Sequence, residues 1–575
     1  MYKMKRNKRG QALTITLIIL IIVLISGVVL LYINPNKQTT EKCNVGGKID
    51  PKTGKCAYLT TKEDITLPPK TPIKENNTKI NPRVNITNQT AINYTNFNIS
   101  EYEDNPFGWH PAYPYASAFD LGIRWHRDNL IWSLVQPDIN KEEYQFKFVD
   151  GGKKGNFNYD QNFGVETGNL KKIITIFIEK NSRTPTNSWV PTNITAYQKY
   201  LQVLVERYDG DDNLGCKIAA PDCYSTGDNM YPSQEVIDGL KKNPIKYWQV
   251  ENEPISLNKK LEGSDPSSDL TFAQLQRLSY EAIKTADPAA KVLLGSTSGG
   301  PDGYISQTLD PWQPILQTLD GKYADIFDLH WYGCAKGDYQ ILDTSNGQDV
   351  LSYLRAELTE TGFPNLPIWM TEMGTNSGLA TDANCGLQTE EQQASDYVKR
   401  YIYGLSHGIK KMFGILSLTE GTWDNPEDYF SKTELIYDGE GSNDLGEGVK
   451  KLSYYSYKLM TNKLEGSDWK NVLEIYNSSN VYAYKFTNKQ TGNLTYIVWW
   501  DYWNEPELTT KQVTIPISLN GNVKITQAVP HFENGLILQQ SGEDYPNFFD
   551  TETKQASNGQ LSLSLLKNPV YIEQD

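Results

Sequence analysis

The sequence lacks three signatures that would each point to a particular class of protein. No run of basic residues lies outside the N-terminus, and the net charge of −14 argues against a nucleic-acid-binding protein. No Cys-x-x-Cys or His-x-x-x-His spacing occurs, so no zinc site, and more generally no metal or cofactor, is expected. No Gly-rich phosphate loop follows the first predicted strand, which disfavours an open, doubly wound nucleotide-binding sheet.

One long apolar run is present, at residues 12–33, directly after a basic segment at residues 1–11. An apolar run of this length spans a hydrocarbon core of about 30 Å. Secretory signals usually have a shorter apolar region and a small-residue cleavage site, which is absent here. We therefore expect an uncleaved transmembrane helix in the cell membrane, with the basic flank in the cytoplasm and residues 34–575 outside.

A second interpretation applies to the same segment. Residues 8–14, Lys-Arg-Gly-Gln-Ala-Leu-Thr, resemble the processing site of archaeal pilin-like (class III) signal peptides. In that family the short basic leader is cut after the glycine, here Gly10, and the apolar helix is retained. Under either interpretation the mature protein keeps its hydrophobic helix.

The segment at residues 34–104 is rich in Pro, Thr, Asn and Lys and has no sustained apolar period, which is typical of an extracellular linker or stalk. Most of the Asn-x-Ser/Thr sequons lie within it, which favours an exposed, glycosylated stalk. The sequons begin at Asn76, Asn85, Asn88, Asn93, Asn98, Asn193, Asn477 and Asn493.

All six cysteines lie outside the membrane in this topology, and an even number in an exported chain suggests disulfides. Several connectivities are open, and nearest-neighbour pairing is the simplest. It joins Cys43 to Cys56, Cys216 to Cys223, and Cys334 to Cys385. The last pair follows the sixth and seventh predicted strands, where a bridge would join two loops; two buried free thiols are the alternative.

Short apolar runs alternate with amphipathic helical patterns between residues 105 and 460. Eight such runs predict a (β/α)₈ barrel, also called a TIM barrel. The predicted strands are Phe107–His110, Gly122–Asn129, Ile173–Ile178, Tyr247–Val250, Lys291–Gly295, Ile326–Trp331, Ile368–Thr371 and Met412–Leu416. Residues 468–575 contain short strand-like runs without a helical pattern, which predicts a C-terminal β-sandwich domain.

Two of the barrel segments end in a glutamate beside a loop breaker, namely Glu253 in Asn-Glu-Pro and Glu372 in Thr-Glu-Met-Gly. Strand C-termini form the active-site face of such barrels, so both carboxylates should project into one pocket. Retaining glycosidases use this arrangement: one carboxyl protonates the leaving oxygen and the other attacks the anomeric carbon. Glu251 competes with Glu253, but strand alternation places it deeper, where a structural role is expected.

At these residues the chain resembles the glycoside hydrolases of clan A, especially families 5 and 39. The resemblance covers residues 105–460 and implies Glu253 as acid/base and Glu372 as nucleophile. It implies that Asn252 binds the sugar 2-hydroxyl and that Arg127, or else Arg124, lies near the nucleophile. His330 and Tyr332 correspond to a sixth-strand pair that contacts the substrate, although His330 is also readable as a core histidine.

The eighth strand departs from the pattern of that clan. Many members end it with a tryptophan platform, whereas here Trp423 comes several residues later, and we keep it as a substrate-binding candidate. The sequence thus predicts a retaining glycosidase that cleaves β-glycosidic bonds of an extracellular oligo- or polysaccharide. The rival hypothesis is a non-catalytic carbohydrate-binding surface protein, such as an adhesin or pilus-associated subunit.

Overall fold

The structure is a computed structural model that describes residues 47–49, 56–58, 104–149, 156–179, 182–185, 187–211, 233–255, 266–381, 383–421, 425 and 427–575. It divides into two compact units, Met1–Thr87 and Asn88–Asp575. In the first unit the described residues are two antiparallel strands, Gly47–Ile49 and Cys56–Tyr58.

Several predictions made from the sequence fall outside the described residues. They concern the leader up to Gly10, the helix at 12–33, most of the stalk, the cysteines at 43, 216 and 223, and Trp423. Within the part that the structure describes, no helix is long and apolar enough to cross a membrane.

Eight parallel strands form a barrel in the second unit, as the sequence predicts. They are β1 (Phe107–His110), β2 (Trp125–Ile131), β3 (Lys171–Phe177), β4 (Tyr247–Val250), β5 (Lys291–Leu293), β6 (Phe327–Tyr332), β7 (Ile368–Gly374) and β8 (Met412–Ile415). They are hydrogen-bonded in the order β6-β7-β8-β1-β2-β3-β4-β5. Parallel bridges from Leu293 to Ile326 and from Thr297 to Leu329 then connect β5 with β6 and close the barrel.

Helices surround the barrel in the expected alternation. The main ones are α1 (Ile194–Tyr208), α2 (Gln234–Lys242), α3 (Pro266–Ala286), α4 (Gln313–Leu319), α5 (Val350–Glu360), α6 (Glu390–Ser406) and α7 (Leu452–Leu464). Thr389 caps α6 in a reciprocal capping box with Gln392, which satisfies two backbone donors that the helix itself leaves free. Shorter helical segments are Tyr115–Asp120, Trp132–Val135, Tyr159–Gln161, Asn162–Glu166, Ile305–Leu309, Asp310–Trp312, Asp338–Gln340, Phe430–Lys432 and Tyr502–Asn504.

The interior of the barrel is filled in layers, because side chains two residues apart on a strand point to the same face. An apolar plug occupies the N-terminal end of the barrel. It consists of Trp125, Ile173, Tyr247, Leu293, Ile326, Trp369 and Phe413. Five buried polar side chains each lie two residues beyond a member of the apolar plug, and we call them the polar layer. They are Arg127, Thr175, Gln249, Asp328 and Thr371. The polar layer therefore lies directly between the apolar plug and the C-terminal ends of the strands.

The C-terminal domain is an antiparallel β-sandwich, as predicted. Its strands are β9 (Leu473–Ser478), β10 (Val481–Thr487), β11 (Leu494–Trp500), β12 (Lys511–Pro516), β13 (Gly521–Gln527), β14 (Thr551–Ala556), β15 (Gln560–Leu565) and β16 (Val570–Gln574). Six of them form one sheet, in the order β9-β10-β11-β16-β13-β14, and β12 pairs with β15. Ile515 and Leu563 of the smaller sheet share a buried core with Val481 and Val523 of the larger one. The sequence suggested no helix in this domain, which is wrong in two places, since α8 (Gly535–Gln540) and the short helical segment Tyr502–Asn504 lie between the strands.

Buried polar contacts hold the sandwich against the barrel. The hydroxyl of Tyr339, in the loop after β6, donates to Asp501 at 2.6 Å and accepts from the indole N–H of Trp499 at 2.8 Å. Glu390, at the start of α6, accepts from the backbone N–H of Gly535 at 2.9 Å. The sandwich thus contacts both the helix layer and a loop at the C-terminal end of the barrel strands.

The disulfide predicted between Cys334 and Cys385 is confirmed. It joins the loop after β6 to the loop after β7 across a sequence separation of 51 residues. Three short antiparallel hairpins lie outside the barrel sheet and the sandwich. Gly378–Leu379 pairs with Leu387–Gln388, Leu342–Asp343 pairs with Gln348–Asp349, and Lys147–Val149 pairs with Asn156–Asn158. The second of these hairpins, at residues 342–349, lies within the segment that the disulfide closes.

Replacing both Cys334 and Cys385 with serine is expected to lower the free energy of unfolding by about 2–4 kcal/mol, because the crosslink restricts the unfolded chain. A thermal unfolding midpoint measured for the double variant and for the reduced protein tests this. Each single serine variant should behave like the double variant. An unchanged midpoint in all three would show that the bridge does not contribute to stability.

Candidate active site

Glu253 and Glu372 occupy the positions from which the sequence predicts that they share a pocket. Glu253 lies three residues beyond the end of β4, and its backbone is left-handed, with φ of 46°. The preceding Glu251 is left-handed too, with φ of 62°. Such conformations cost about 1–3 kcal/mol for residues other than glycine and cluster at functional sites. Glu372 lies on β7, where it pairs with His330 of β6.

The two carboxylates are neighbours in space. One oxygen of Glu253, one of Glu372 and one ring nitrogen of His330 all lie within 4.8 Å of one another. The Glu253 side chain is 25% exposed and that of Glu372 is 10% exposed, so Glu253 is the more accessible of the two. A pair separated by 119 residues in the sequence therefore converges at one point on the catalytic face.

Glu372 is surrounded by groups that favour its ionised form. Arg127 donates to its Oε1 at 2.5 Å, and the hydroxyl of Tyr332 donates to its Oε2. Burial raises the pKa of Glu372, but the charges of His330 and Arg127 outweigh burial and lower the pKa to about 2. The Glu372 carboxylate is thus ionised and available as a nucleophile across the physiological pH range.

Glu253 is in the opposite electrostatic situation. Burial raises its pKa above the usual value, the hydrogen bond from His330 at 2.7 Å lowers it, and the negative charge of Glu372 raises it further; the net direction is upward. The backbone N–H of Glu253 donates to the hydroxyl of Ser296 at 3.0 Å, which fixes the start of the loop. Two neighbouring carboxyls with pKa values moved in opposite directions are the arrangement that an acid and a nucleophile require.

His330 lies between the two carboxylates. Its Nδ1 is 2.7 Å from Glu253 Oε1 and 3.4 Å from Glu372 Oε2. Burial lowers the pKa of His330, but the charges of Glu372 and Asp328 raise it to about 10. The charges of Glu372 and Asp328 therefore favour the imidazolium form of the ring, and its contacts join His330 to both carboxylates.

The polar layer below the carboxylates is a continuous hydrogen-bonded network. Gln249 donates to Asp328 at 2.5 Å and accepts from Arg127 and Thr175 at 2.8 and 2.9 Å. Thr371 donates to the same Asp328 oxygen at 2.5 Å, and its hydroxyl lies 3.1 Å from Nε2 of His330. Buried polar groups are tolerated only when they are paired in this way. The network orients Arg127 and supplies the charge of Asp328 that keeps His330 protonated.

Sequence reasoning missed Gln249, Asp328, Thr371 and His110. The first three are polar residues inside otherwise apolar strand segments, and that signal was available. His110 donates through Nδ1 to the carbonyl of Arg127 at 2.9 Å and places Nε2 at 3.6 Å from Glu372. Burial and the charge of Arg127 lower the pKa of His110 to about 3, so the ring is neutral in the working pH range.

Among the other predicted residues, Asn252 accepts from Arg127 at 2.6 Å, so its Nδ2 amide is the group left to donate to a ligand. Arg124, the other candidate beside the nucleophile, instead pairs with Glu465 at 2.8 Å on the protein surface. Glu251 accepts from the backbone N–H of Ile178 and has the structural role expected of it. Trp423 lies outside the described residues.

A metal ion is disfavoured at this site by the charges around it. Glu253, His330 and Glu372 are close enough to offer one ligand atom each. However, a protonated His330 has no lone pair to give, and the guanidinium of Arg127 already lies 2.5 Å from Glu372. The same three residues are instead arranged for proton transfer and nucleophilic attack.

Replacing Arg127 with methionine is expected to raise the pKa of Glu372 from about 2, because one of the two largest favourable charges is lost. The acidic limb of the kcat/KM profile against pH should then move upward by about one unit or more, since an opposite charge at this range typically shifts a carboxyl by that amount. Arg124→Met is the matched control and should leave the limb in place. An unmoved limb in Arg127→Met would contradict the assigned electrostatics.

The fold is shared with known glycoside hydrolases. A glucosidase from Croceicoccus marinus superposes with a TM-score of 0.50 at 11% identity, covering 82% of this chain and 97% of that one. An α-L-arabinofuranosidase from Thermotoga maritima gives 0.47 at 12% identity, covering 80% and 88%. CelM2, a bifunctional glucanase-xylanase from a metagenome library, gives 0.46 at 13% identity, covering 82% and 96%. Neither a protein-family model nor a curated protein sequence matches the chain.

Proposed function

We propose that the protein is a retaining glycoside hydrolase that cleaves β-glycosidic bonds of an extracellular oligo- or polysaccharide. The observation that supports this most strongly is the approach of Glu253 and Glu372 to within 4.8 Å with their pKa values displaced in opposite directions. Retaining enzymes hold their carboxyls about 5–5.5 Å apart, and inverting enzymes hold them further apart to admit a water molecule. The Croceicoccus marinus glucosidase has the same fold, which is compatible with the proposal.

In the first step of the proposed reaction, Glu253 donates its proton to the glycosidic oxygen while an oxygen of Glu372 attacks the anomeric carbon. The bond between that carbon and the leaving oxygen breaks, and a glycosyl ester of Glu372 forms. Glu253 is left as a carboxylate. His330, at 2.7 Å and positively charged, stabilises this new negative charge.

In the second step, Glu253 takes a proton from a water molecule, whose oxygen attacks the anomeric carbon and releases Glu372. Two inversions leave the configuration of the sugar unchanged. Arg127 and Tyr332 each contact one oxygen of Glu372, so they hold the carboxylate in position for attack and accept it again when it leaves. Asn252 is placed beside Arg127 to bind the sugar hydroxyl next to the reacting carbon.

The location of the reaction is part of the proposal. The apolar run at residues 12–33 and its basic flank support a single-pass membrane anchor with the barrel outside the cell. The Cys334–Cys385 disulfide agrees with an oxidising environment. The pilin-like residues around Gly10 support cleavage of a short leader with the anchor retained.

The experiment that tests this proposal is hydrolysis of a panel of aryl β-glycosides and oligosaccharides by the full chain. Proton NMR of the first product formed should show the β anomer before it equilibrates. A first product of α configuration would refute the retaining mechanism. Glycan binding without turnover on any member of the panel would favour the rival hypothesis of a non-catalytic carbohydrate-binding surface protein.

A further inference from the structure

A second cavity lies between the barrel and the C-terminal domain, apart from the catalytic carboxylates. One wall is a face of α6, where Gln392, Ser395, Asp396 and Lys399 follow one another at helical spacing. The other walls come from the C-terminal domain and from the loop after β6. They include Tyr502, Trp503, Lys567, Asn568 and Ala335.

The cavity contains buried polar atoms that have no hydrogen-bond partner within the described part of the chain. They are the ammonium of Lys399, the hydroxyl of Ser395 and Oδ1 of Asp396. All three side chains are at least nine-tenths buried, and Lys399 is completely buried. Lys399 approaches Asp501 only to 3.8 Å. Unpaired polar groups of this kind are costly when buried, so the cavity is built for something that pairs with them.

The unpaired set combines donors with acceptors. The ammonium donates, the Asp396 carboxylate accepts, and the Ser395 hydroxyl does both. Oδ2 of Asp396 accepts from Arg400 at 2.5 Å, and Oδ1 has no partner in the described structure, so an inorganic anion would be repelled by Oδ1 and leave it unpaired. Asp396 pairs with Arg400, and Lys399 lies 3.8 Å from Asp501. Lys567 and Glu391 carry opposite charges, so the walls have no net charge and a neutral ligand is favoured. A group with several hydroxyls satisfies donors and acceptors together.

Aromatic rings complete the walls. The ammonium of Lys399 lies 4.3 Å from the centre of the Trp503 indole, and the Tyr502 and Trp503 rings meet edge to face at 5.0 Å. Flat apolar rings next to hydroxyl-binding groups match the two sides of a pyranose, whose C–H faces are apolar and whose rim is polar. The exposed Thr389, Glu391 and Lys567 show that the cavity opens to solvent.

The cavity opens at the same end of the barrel as the catalytic pair. Thr389, Glu391 and Gln392 form the cap and first turn of α6, which follows β7. In a (β/α)₈ barrel, the loops that lead from a strand into the next helix lie at the catalytic face. Ala335 in the wall comes three residues after Tyr332, the hydroxyl of which contacts Glu372.

We propose that this cavity, between α6 and the C-terminal domain, is a second and non-catalytic binding site for a sugar unit of a neutral oligo- or polysaccharide. The inference goes beyond the proposed hydrolysis, because the site contains neither catalytic carboxylate. A chain bound there would be held at the catalytic face of the barrel.

The test is calorimetric titration of the full chain carrying Glu253→Gln with cellohexaose, xylohexaose, mannohexaose and inorganic phosphate. At least one oligosaccharide is expected to bind at two sites. Ser395→Ala and Lys399→Met should each weaken the second site by about tenfold, as expected for the loss of one well-placed hydrogen bond. Lys524→Met, at an exposed lysine of the C-terminal domain, is the control and should change neither site.

The Ser395→Ala variant distinguishes a folding defect from the loss of a contact with the sugar. The Ser395 hydroxyl has no partner in the described structure, so its removal should keep or raise the unfolding midpoint while weakening sugar binding. Binding at one site only, no binding of any oligosaccharide, or two sites insensitive to both variants would overturn the inference. So would binding of phosphate that depends on Lys399.

The two proposals fail separately. If the unmodified chain hydrolyses no glycoside but Ser395-dependent sugar binding persists, the proposed hydrolysis is wrong and the second site stands. If hydrolysis is observed and binding is insensitive to Ser395 and Lys399, the reverse holds.

Discussion

Replacing Glu372 with alanine is expected to lower kcat by about 10⁴-fold or more, the size of loss found when a covalent nucleophile is removed. Since the Glu372 carboxylate is the group that attacks, its loss should be partly compensated by a small external anion. Azide has room in the space left by the side chain, and it should restore turnover of an activated aryl β-glycoside. The product should be an α-glycosyl azide, because only one inversion then takes place.

The control for this prediction is Glu251→Ala. Glu251 lies two residues before Glu253, and it accepts from the backbone N–H of Ile178 instead of facing the pocket residues. Azide should not accelerate this variant, and no glycosyl azide should form. A β-glycosyl azide from Glu372→Ala, or no azide adduct at all, would contradict the role of Glu372 as the nucleophile.

Replacing Glu253 with glutamine is expected to lower kcat/KM on oligosaccharides by about 10²–10⁴-fold, the usual contribution of a general acid. The loss should be much smaller on dinitrophenyl glycosides, because their leaving group needs no proton. The glutamine keeps the shape of the side chain but has no titratable proton. The dependence of the loss on the leaving group therefore separates acid catalysis from damage to the fold.

The dependence of kcat/KM on pH is a second test of the Glu253→Gln variant. Burial and the charge of Glu372 hold the pKa of Glu253 above its usual value, and the acid is active only while it is protonated. In the unmodified protein kcat/KM should therefore fall as the pH rises through that elevated pKa. With Glu253→Gln this alkaline limb should disappear, whereas the acidic limb set by Glu372 should remain. Persistence of the alkaline limb in the variant would assign it to another group.

The features that the sequence predicted correctly are those that depend on residues close together in the chain. The strands β1 and β4 begin and end where the local pattern predicts. Such patterns report burial of alternate side chains, which is a local property. The strand β9 carries little burial signal, because all of its residues are half-buried or exposed. The short helix α8 was missed for a related reason, since only Gly535 and Leu538 in it are buried.

Within the site, Glu253 and Glu372 were predicted from their positions at the ends of two strand-like segments. The resemblance to a known clan added Arg127, Asn252, His330 and Tyr332. Sequence reasoning left open whether Arg124 or Arg127 faces the nucleophile. That choice depends on which side of β2 points into the barrel, and β2 begins at Trp125, so that Trp125 and Arg127 share the inner face. Arg124 lies just outside the strand and reaches the surface.

By itself, the sequence determined the alternation of strands and helices and the strands that carry the two glutamates, because each of these depends on short segments of chain. The tertiary structure decided that the pKa of Glu372 is lowered and the pKa of Glu253 is raised. Their pKa values depend on Arg127, His330 and Asp328, which come from different strands and act through distances of a few ångströms that no local pattern encodes. Only barrel closure brings those charges together.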